Sequence, residues 1–284
     1  METVTHRENE ILVYVFPLRE YEKYYSLFSR LLNNIESLRA DSYRFVKDKI
    51  QFVIVRAILK LILASHLDQN PKSIVLQYTR YGKPYLPGSK LQFSVTHSSG
   101  WAAIALCYGR RLGIDLESVR HRVDMIGLAK EFFCEQENEL LQNARLNVGK
   151  IFFNLWVQKE AVLKATGSGI AQGLDALDLS QELLSPRVVQ YQDRHWFLFP
   201  CVFPWLYIPS VTRPHESDSA VCLLPHNIDY TAEFSNSFCS SIAVEYCDTE
   251  PKVCVKKNLD ELLLSHTDSG FDLRHKVRNT AVCL

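Results

Sequence analysis

Two short stretches of this 284-residue chain combine residue types and spacings that could do chemistry. In Leu112-Gly113-Ile114-Asp115-Leu116-Glu117, a strand would put Leu112, Ile114 and Leu116 on one face and Gly113, Asp115 and Glu117 on the other, because strand side chains alternate. Two carboxylates then project together beside a glycine that permits close approach. That suits Mg²⁺, a hard cation that takes one or two carboxylates and fills its other positions with water and phosphate. The same alternation also describes an antiparallel strand with one solvated face. In Trp156-Val157-Gln158-Lys159-Glu160-Ala161-Val162-Leu163-Lys164, residues Trp156, Glu160 and Lys164 stand four apart and share a helix face. On an isolated helix Glu160 and Lys164 would be a surface pair contributing ~0.2–0.5 kcal/mol. Phe152, Leu155, Val162 and Leu163 make this helix half-buried, which favours a place for both charges on the wall of a cleft.

Two further stretches offer donors for an anion. Phe93-Ser94-Val95-Thr96-His97-Ser98 ends a strand in hydroxyls and one imidazole, small donors suited to phosphate. Gly82-Lys83-Pro84 sets a lysine in a rigid turn, which by itself says only that the loop is exposed.

These residues need elements to hold them. Ile11 to Phe16 suits a short strand. Phe28, Leu31, Leu32, Ile35 and Leu38 recur at helical spacing, and a second helix runs from about Lys47 to His66 with Phe52, Val55, Ile58, Leu59, Ile62 and Leu63 on one side. Strands follow at Leu91 to Val95, Trp101 to Tyr108 and Leu112 to Glu117, with helices over 124–145 and 150–166, the latter stopped by Gly167. The Ser98-Ser99-Gly100 turn is too short for a parallel crossover, so the strands it joins pair antiparallel and the fold class is α+β. The chain divides into an N-terminal α+β half (1–109), a C-terminal α+β half carrying Asp115 and Glu117 (110–235), and a polar appendage (236–284) with a helical turn at Leu262 to Leu264 and a basic run from Arg274 to Arg278.

Composition narrows the partners. Lys plus Arg and Asp plus Glu each number 32, so the net charge is zero and a nucleic-acid or anionic-membrane protein is disfavoured; any anion site must be local. Met1 to Glu10 has no apolar core of a secretory leader, which predicts a cytoplasmic protein. The most apolar run, Phe52 to Ser65, contains Arg56 and Lys60 and falls short of the roughly 20 residues a membrane span needs. Eight cysteines without a Cys-x-x-Cys pair read as free thiols, and neither disulfides nor zinc are expected.

Taken in order, Gly82-Lys83-Pro84, Phe93 to Ser98, Gly113-Ile114-Asp115-Leu116-Glu117 and Trp156-x-x-Lys159-Glu160-Ala161-x-x-Lys164-Ala165-x-Gly167-x-Gly169 resemble the 4′-phosphopantetheinyl transferases, of the larger, surfactin-synthetase-activating type. The resemblance implies a pseudo-dimer of two similar α+β halves with antiparallel sheets and the site between them. It implies transfer of the phosphopantetheine arm of coenzyme A to a serine of an apo acyl or peptidyl carrier protein, releasing adenosine 3′,5′-bisphosphate. Carried over by position, Asp115, Glu117 and Glu160 would hold Mg²⁺. Glu160 would also take the serine proton, Lys164 and His97 would contact the phosphates, and Lys83 and Thr96 the nucleotide end. Trp156 and Lys159 would support them, and a monomer is expected.

Where the family carries arginines for the 3′-phosphate, this chain reads Asp48-Lys49-Ile50-Gln51-Phe52, leaving Lys49, with Lys47 and Arg56, as substitutes. Asp-x-Glu followed by Glu-x-x-x-Lys also describes a Mg²⁺-dependent phosphodiester hydrolase, although the neutral chain lacks a basic track for such a substrate. A non-catalytic relative that binds coenzyme A or a carrier protein is the other alternative, against which stand the three carboxylates and Lys164.

Overall fold

The computed structural model describes residues 10–119, 123–169, 173–201, 220–221, 238–247, 251–256 and 259. The first part of the chain runs β1 (Glu10–Pro17), a 3₁₀ segment (Leu18–Tyr24), α1 (Tyr25–Ser29), α2 (Asn34–Asp41), α3 (Val46–Leu67), the small hairpin β2 (Gln77–Tyr78) and β3 (Pro84–Tyr85), then β4 (Leu91–Ser98) and β5 (Trp101–Tyr108). The second runs β6 (Leu112–Ser118), α4 (Met125–Phe132), α5 (Glu135–Asn143), α6 (Val148–Thr166), β7 (Arg187–Tyr191), β8 (Arg194–Cys201), β9 (Ala220–Val221), β10 (Phe238–Glu245) and β11 (Lys252–Lys256). The fold is α+β in two similar halves, each a sheet carrying one long helix, α3 or α6.

One sheet has the order β4-β5-β1-β11-β9 and the other β6-β10-β8-β7. Pairing is antiparallel except between β1 and β11, which are parallel, so the first sheet is mixed rather than purely antiparallel. The polar appendage expected from residue 236 does not hold for the described strands. Phe238–Glu245 is a central strand between β6 and β8, and Lys252–Lys256 lies beside β1. The cause is legible in β10: Cys239, Ser240, Ser241, Ile242, Ala243 and Val244 are all buried, and Ser240 and Ser241 satisfy their hydroxyls on the carbonyls of Cys201 and Phe199. The helical turn at 262–264 and the basic run at 274–278 lie outside the described residues.

Helix α3 differs from a one-sided amphipathic helix. Every residue from Val53 to Ala64 is buried, because Phe16, Phe93, Ile104 and Leu106 of the sheet share its core on one side while the 3₁₀ segment, α1 and α2 cover others. At 22 residues it is long and apolar enough to cross a membrane by length and composition, against the shorter run expected, yet 67% of its most apolar window is buried inside the protein. Its two internal charges are also accounted for: the Lys60 Nζ donates to Glu36 Oε2 at 3.1 Å, and Arg56 Nε stands 3.7 Å from Glu36 Oε1. Helix α2 begins sharply because Asn33 and Glu36 form a reciprocal capping box, Glu36 N–H donating to Asn33 Oδ1 at 2.9 Å and Asn33 N–H to Glu36 Oε2 at 3.0 Å. That cap breaks the single helix expected over Phe28 to Leu38 into α1 and α2, and leaves Ile35 and Leu38 exposed. The helix expected over 124–145 is likewise two, with Cys134 at the N-cap of α5.

Between the halves lies a third apolar layer. Ile11, Val13 and Val15 of β1 and Ala103 and Ala105 of β5 pack with Leu112, Ile114 and Leu116 of β6 and with Ile242 and Val244 of β10. The opposite face of β6 meets α6 at Gly113. A Cβ placed there would stand 1.9 Å from the carbonyl oxygen of Ala161 and 2.5 Å from the backbone nitrogen of Ala165. Both obstacles are helix backbone, which cannot step aside. Gly113→Ala is therefore expected to destabilise the protein by more than the usual overpacking cost of about 1–3 kcal/mol. Urea denaturation followed by circular dichroism measures it; a loss below about 1 kcal/mol would show that α6 can shift outward.

Candidate active site

β6 and α6 present their functional side chains to one another because Gly113 lets the helix axis approach the strand. Leu112, Ile114 and Leu116 are sunk in the inter-sheet layer, so Asp115 and Glu117 must face the other way. The solvated face that the alternation alone would permit is covered by α6, and Asp115 is buried. On α6, Trp156, Glu160 and Lys164 follow one another along a face, as the spacing predicts. Trp156 anchors its lower end by packing against Phe152 and Phe132. Gly167, in the left-handed region at φ 75°, ends the helix just beyond Lys164, its N–H donating to Leu163 O at 2.8 Å.

The structure brings Lys164 onto Asp115: the ammonium donates to Asp115 Oδ1 at 2.6 Å. The same oxygen accepts the Thr96 hydroxyl at 2.9 Å, while Asp115 Oδ2 is buried without a hydrogen-bond partner. Glu117 accepts the Ser98 hydroxyl at 2.8 Å. Glu160 is buried, and its pKa is pushed up to about 7, first by desolvation and then by the charges of Asp115 and Glu117, with Lys164 acting in the opposite direction. Three carboxylates are thus close enough to repel, with the Lys164 ammonium as their nearby counter-charge. The arrangement favours a further cation or a proton.

A cleft of about 250 Å³ opens beside this cluster, lined by Tyr81, Lys83, Phe93, Glu160, Lys164 and Gly167 among others. Lys83 comes to it from the β2–β3 hairpin, where the Gly82 and Lys83 N–H groups close a turn on Thr79. Its ammonium donates to Leu112 O at 2.9 Å and Ala165 O at 3.4 Å, so it bridges the first half to both β6 and α6. Burial lowers its pKa to about 8. Thr96, expected at the nucleotide end of a ligand, instead buries its hydroxyl on Asp115. His97 occupies the other face of β4, where Asp48 and Asp115 act on it; desolvation and then the Lys164 charge lower its pKa.

Of the basic residues expected to replace the missing arginines, Lys49 pairs with exposed Asp41 at 2.7 Å, a contact of small energetic weight. Arg56 is turned inward to Glu36 and packs on Phe52 and Tyr78, which removes it as a ligand for an incoming anion. Lys159, expected only as a supporting residue, is fully buried. It donates to Glu137 Oε2 at 2.8 Å, to Leu174 O at 2.6 Å and to Leu177 O. Glu137 in turn accepts from Cys134 N and Leu179 N. Lys159 therefore ties α6 to α5 and to the 174–179 loop.

Among the described residues, the group of ligand-type atoms lying within 4.8 Å of one another is Cys134, Glu137 and Asp178, not the predicted carboxylates. The Lys159 ammonium is already bound to Glu137 there, and each Glu137 oxygen holds a backbone N–H, so that place is filled by the protein's own cation.

Comparison with known proteins agrees with this layout. A family model described as the 4′-phosphopantetheinyl transferase superfamily matches residues 111–205, and one described as the N-terminal part of a 4′-phosphopantetheinyl transferase matches residues 19–108. The chain is 35% identical over 192 residues to the 4′-phosphopantetheinyl transferase HetI of Nostoc, covering 66% of this chain and 81% of that protein. The chain belongs to the 4′-phosphopantetheinyl transferase superfamily. It is also 35% identical over 152 residues to a putative 4′-phosphopantetheinyl transferase of Synechocystis (52% of this chain, 62% of that one). Identity is 24% over 140 residues to the transferase Sfp of Bacillus subtilis (49% and 61%). The branch is therefore that of the Sfp- and HetI-like enzymes, with coenzyme A as substrate and phosphopantetheinyl transfer as the general chemistry, which sets aside the phosphodiester hydrolase.

The raised pKa of Glu160 has a measurable consequence for the metal-free protein. Its folded value of about 7 lies above the ordinary 4.5, so the native state binds the proton more tightly than the unfolded chain, and stability falls as pH rises from 4.5 through 7. At pH 8 the buried charge costs about 3 kcal/mol. Glu160→Gln in EDTA is expected to unfold later than wild type at pH 8, by an advantage that shrinks through pH 7 and vanishes near pH 4.5. Equal urea midpoints at pH 8 would mean that Glu160 is not electrostatically stressed.

Proposed function

We propose that this enzyme moves the 4′-phosphopantetheine arm of coenzyme A onto a serine of an apo acyl or peptidyl carrier protein, leaving adenosine 3′,5′-bisphosphate, with Asp115, Glu117 and Glu160 holding Mg²⁺. The observation that supports the reading is a buried Asp115 Oδ2 without a hydrogen-bond partner, next to Glu160 of the cleft wall, whose carboxyl feels the charges of both Asp115 and Glu117. The donor set is all hard oxygen, which fits Mg²⁺ better than a softer metal. When bound, the ion would offset the charge that develops as the pyrophosphate linkage breaks.

The chain's own residues divide the remaining work. Glu160, on the cleft wall, would accept the serine proton, directly or through a water. Lys164 stands on the cleft wall where it can leave Asp115 for a phosphate oxygen. His97, held toward its neutral form, offers a hydrogen bond to a phosphate without adding a full charge. The Lys83 stem lines the nucleotide end while its ammonium fixes the two halves, and in the first turn of α3 Lys47 and Lys49, the latter by leaving Asp41, are the basic residues that could reach a 3′-phosphate.

Apo carrier protein incubated with the enzyme, coenzyme A and Mg²⁺ is expected to gain the mass of one phosphopantetheine, ~340 Da from the composition of that arm. Asp115→Ala should abolish the gain while circular dichroism stays native. Undiminished transfer by that variant in EDTA would end the metal reading. A second expectation follows from the inward turn of Arg56. With only the lysines Lys47 and Lys49 left, the latter shared with Asp41, and no bidentate arginine, the 3′-phosphate should matter little, and dephospho-coenzyme A should be used within about tenfold of coenzyme A, ~1.4 kcal/mol. Steady-state kcat/KM for both substrates decides it; a preference on the order of a thousandfold would require a strong 3′-phosphate site elsewhere in the chain.

A further inference from the structure

β4 and β6 are the facing edge strands of the two sheets, and they lie side by side without pairing their backbones. Three hydroxyls of β4 take the place of that ladder. Ser94, Thr96 and Ser98 alternate along the strand, all buried, and all turn toward β6. Ser94 Oγ accepts the Ile114 N–H at 3.1 Å. Thr96 Oγ1 donates to Asp115 Oδ1 at 2.9 Å. Ser98 Oγ donates to Glu117 Oε2 at 2.8 Å and accepts the Ser118 N–H at 3.2 Å. Two of the three rungs therefore reach carboxylates, that of Thr96 directly and that of Ser98 together with a backbone amide.

We propose that Thr96 and Ser98 are positioning residues that fix the orientation of Asp115 and Glu117 for a divalent cation, an inference that rests on the metal reading above. A carboxylate turns freely about its last bond unless one oxygen is held, and a hydroxyl donor holds it without adding charge. The Thr96 bond falls on Oδ1, the oxygen that Lys164 also takes, and so leaves the unpartnered Oδ2 as the one offered to a metal. Ser98 holds the Oε2 of Glu117 and has its own oxygen locked by the Ser118 amide. Groups of this kind, bonded to ligands rather than to metal, typically set metal affinity by about 10–100-fold. The pseudo-dimer seam and the metal site are then one device, since the first half supplies the hydroxyls and the second the carboxylates.

The test uses the full chain without coenzyme A or carrier protein, titrated with Mn²⁺ and followed by electron paramagnetic resonance, with urea denaturation in parallel. Ser98→Ala and Thr96→Val should each weaken Mn²⁺ about tenfold or more, and Ser98→Thr should restore most of the loss. Ser94→Ala removes a rung that ends on backbone, so it should lower stability but leave Mn²⁺ affinity within about twofold. Wild-type affinity in both Ser98→Ala and Thr96→Val, with Asp115→Asn strongly impaired, would overturn the positioning role while sparing the metal site. A Ser94→Ala loss as large as that of Ser98→Ala would also overturn it, by showing that only the seam is being read. Failure of the wild-type chain to bind Mn²⁺ would remove both proposals together.

Discussion

The distance between α6 and β6 governs this molecule. A helix can sit directly on a strand only where the strand offers no side chain, and Gly113 is that gap, facing the carbonyl of Ala161 and the amide of Ala165. The close contact draws Glu160 and Lys164 down to the level of Asp115 and Glu117, two residues and four residues along the strand. It also sets which face of β6 is available, because Leu112, Ile114 and Leu116 are committed to the layer between the sheets. Lys159, on the buried side of the same helix turn, secures the arrangement from behind through Glu137 and two loop carbonyls. Position, direction and support for the acidic cluster all descend from one backbone approach.

Two kinds of buried charge coexist a residue apart on α6, and their difference separates structure from chemistry. The Lys159–Glu137 pair is saturated: both carboxylate oxygens are occupied and the ammonium has three acceptors. Such a network is stable because no charge is left exposed to a low dielectric without a partner. The cluster at Asp115, Glu117 and Glu160 is the reverse, with like charges together and an acceptor left over. Proteins keep such unbalanced groups where function needs them, at a cost in stability.

Much of the site was legible in the sequence, because strand and helix periods alone assign Asp115 with Glu117, and Glu160 with Lys164, to common faces. Periodicity is also why Gly167 could be read as the stop of α6. The directions of β4 were less accessible: Thr96 and His97 look equally suited to an anion until the sheet edge decides that one faces β6 and the other α3. Arg56 looked like a free cation because nothing in its neighbours announces the capping-box glutamate twenty positions earlier that claims it. β10 was hidden by composition. Its two serines lower the apparent hydrophobicity of a strand whose core position is set by partners distant in sequence, β6 and β8.

The same knot occurs twice. In the first half, Glu36 caps the start of α2 from the third helical position and meets Lys60 in the middle of α3; in the second, Glu137 caps the start of α5 from the third position and meets Lys159 in the middle of α6. Superposing the two lysines aligns Leu61 with Glu160 and Ser65 with Lys164. The halves thus share a scaffold down to its buried ion pair, yet differ at the two helix positions that face the carboxylate strand. The acidic cluster is an asymmetric decoration on a quasi-twofold frame, confined to a few side chains of the second half. The buried lysine–glutamate knot belongs to the frame of both halves, whereas the acidic pair on the strand and its helix partners belong to one.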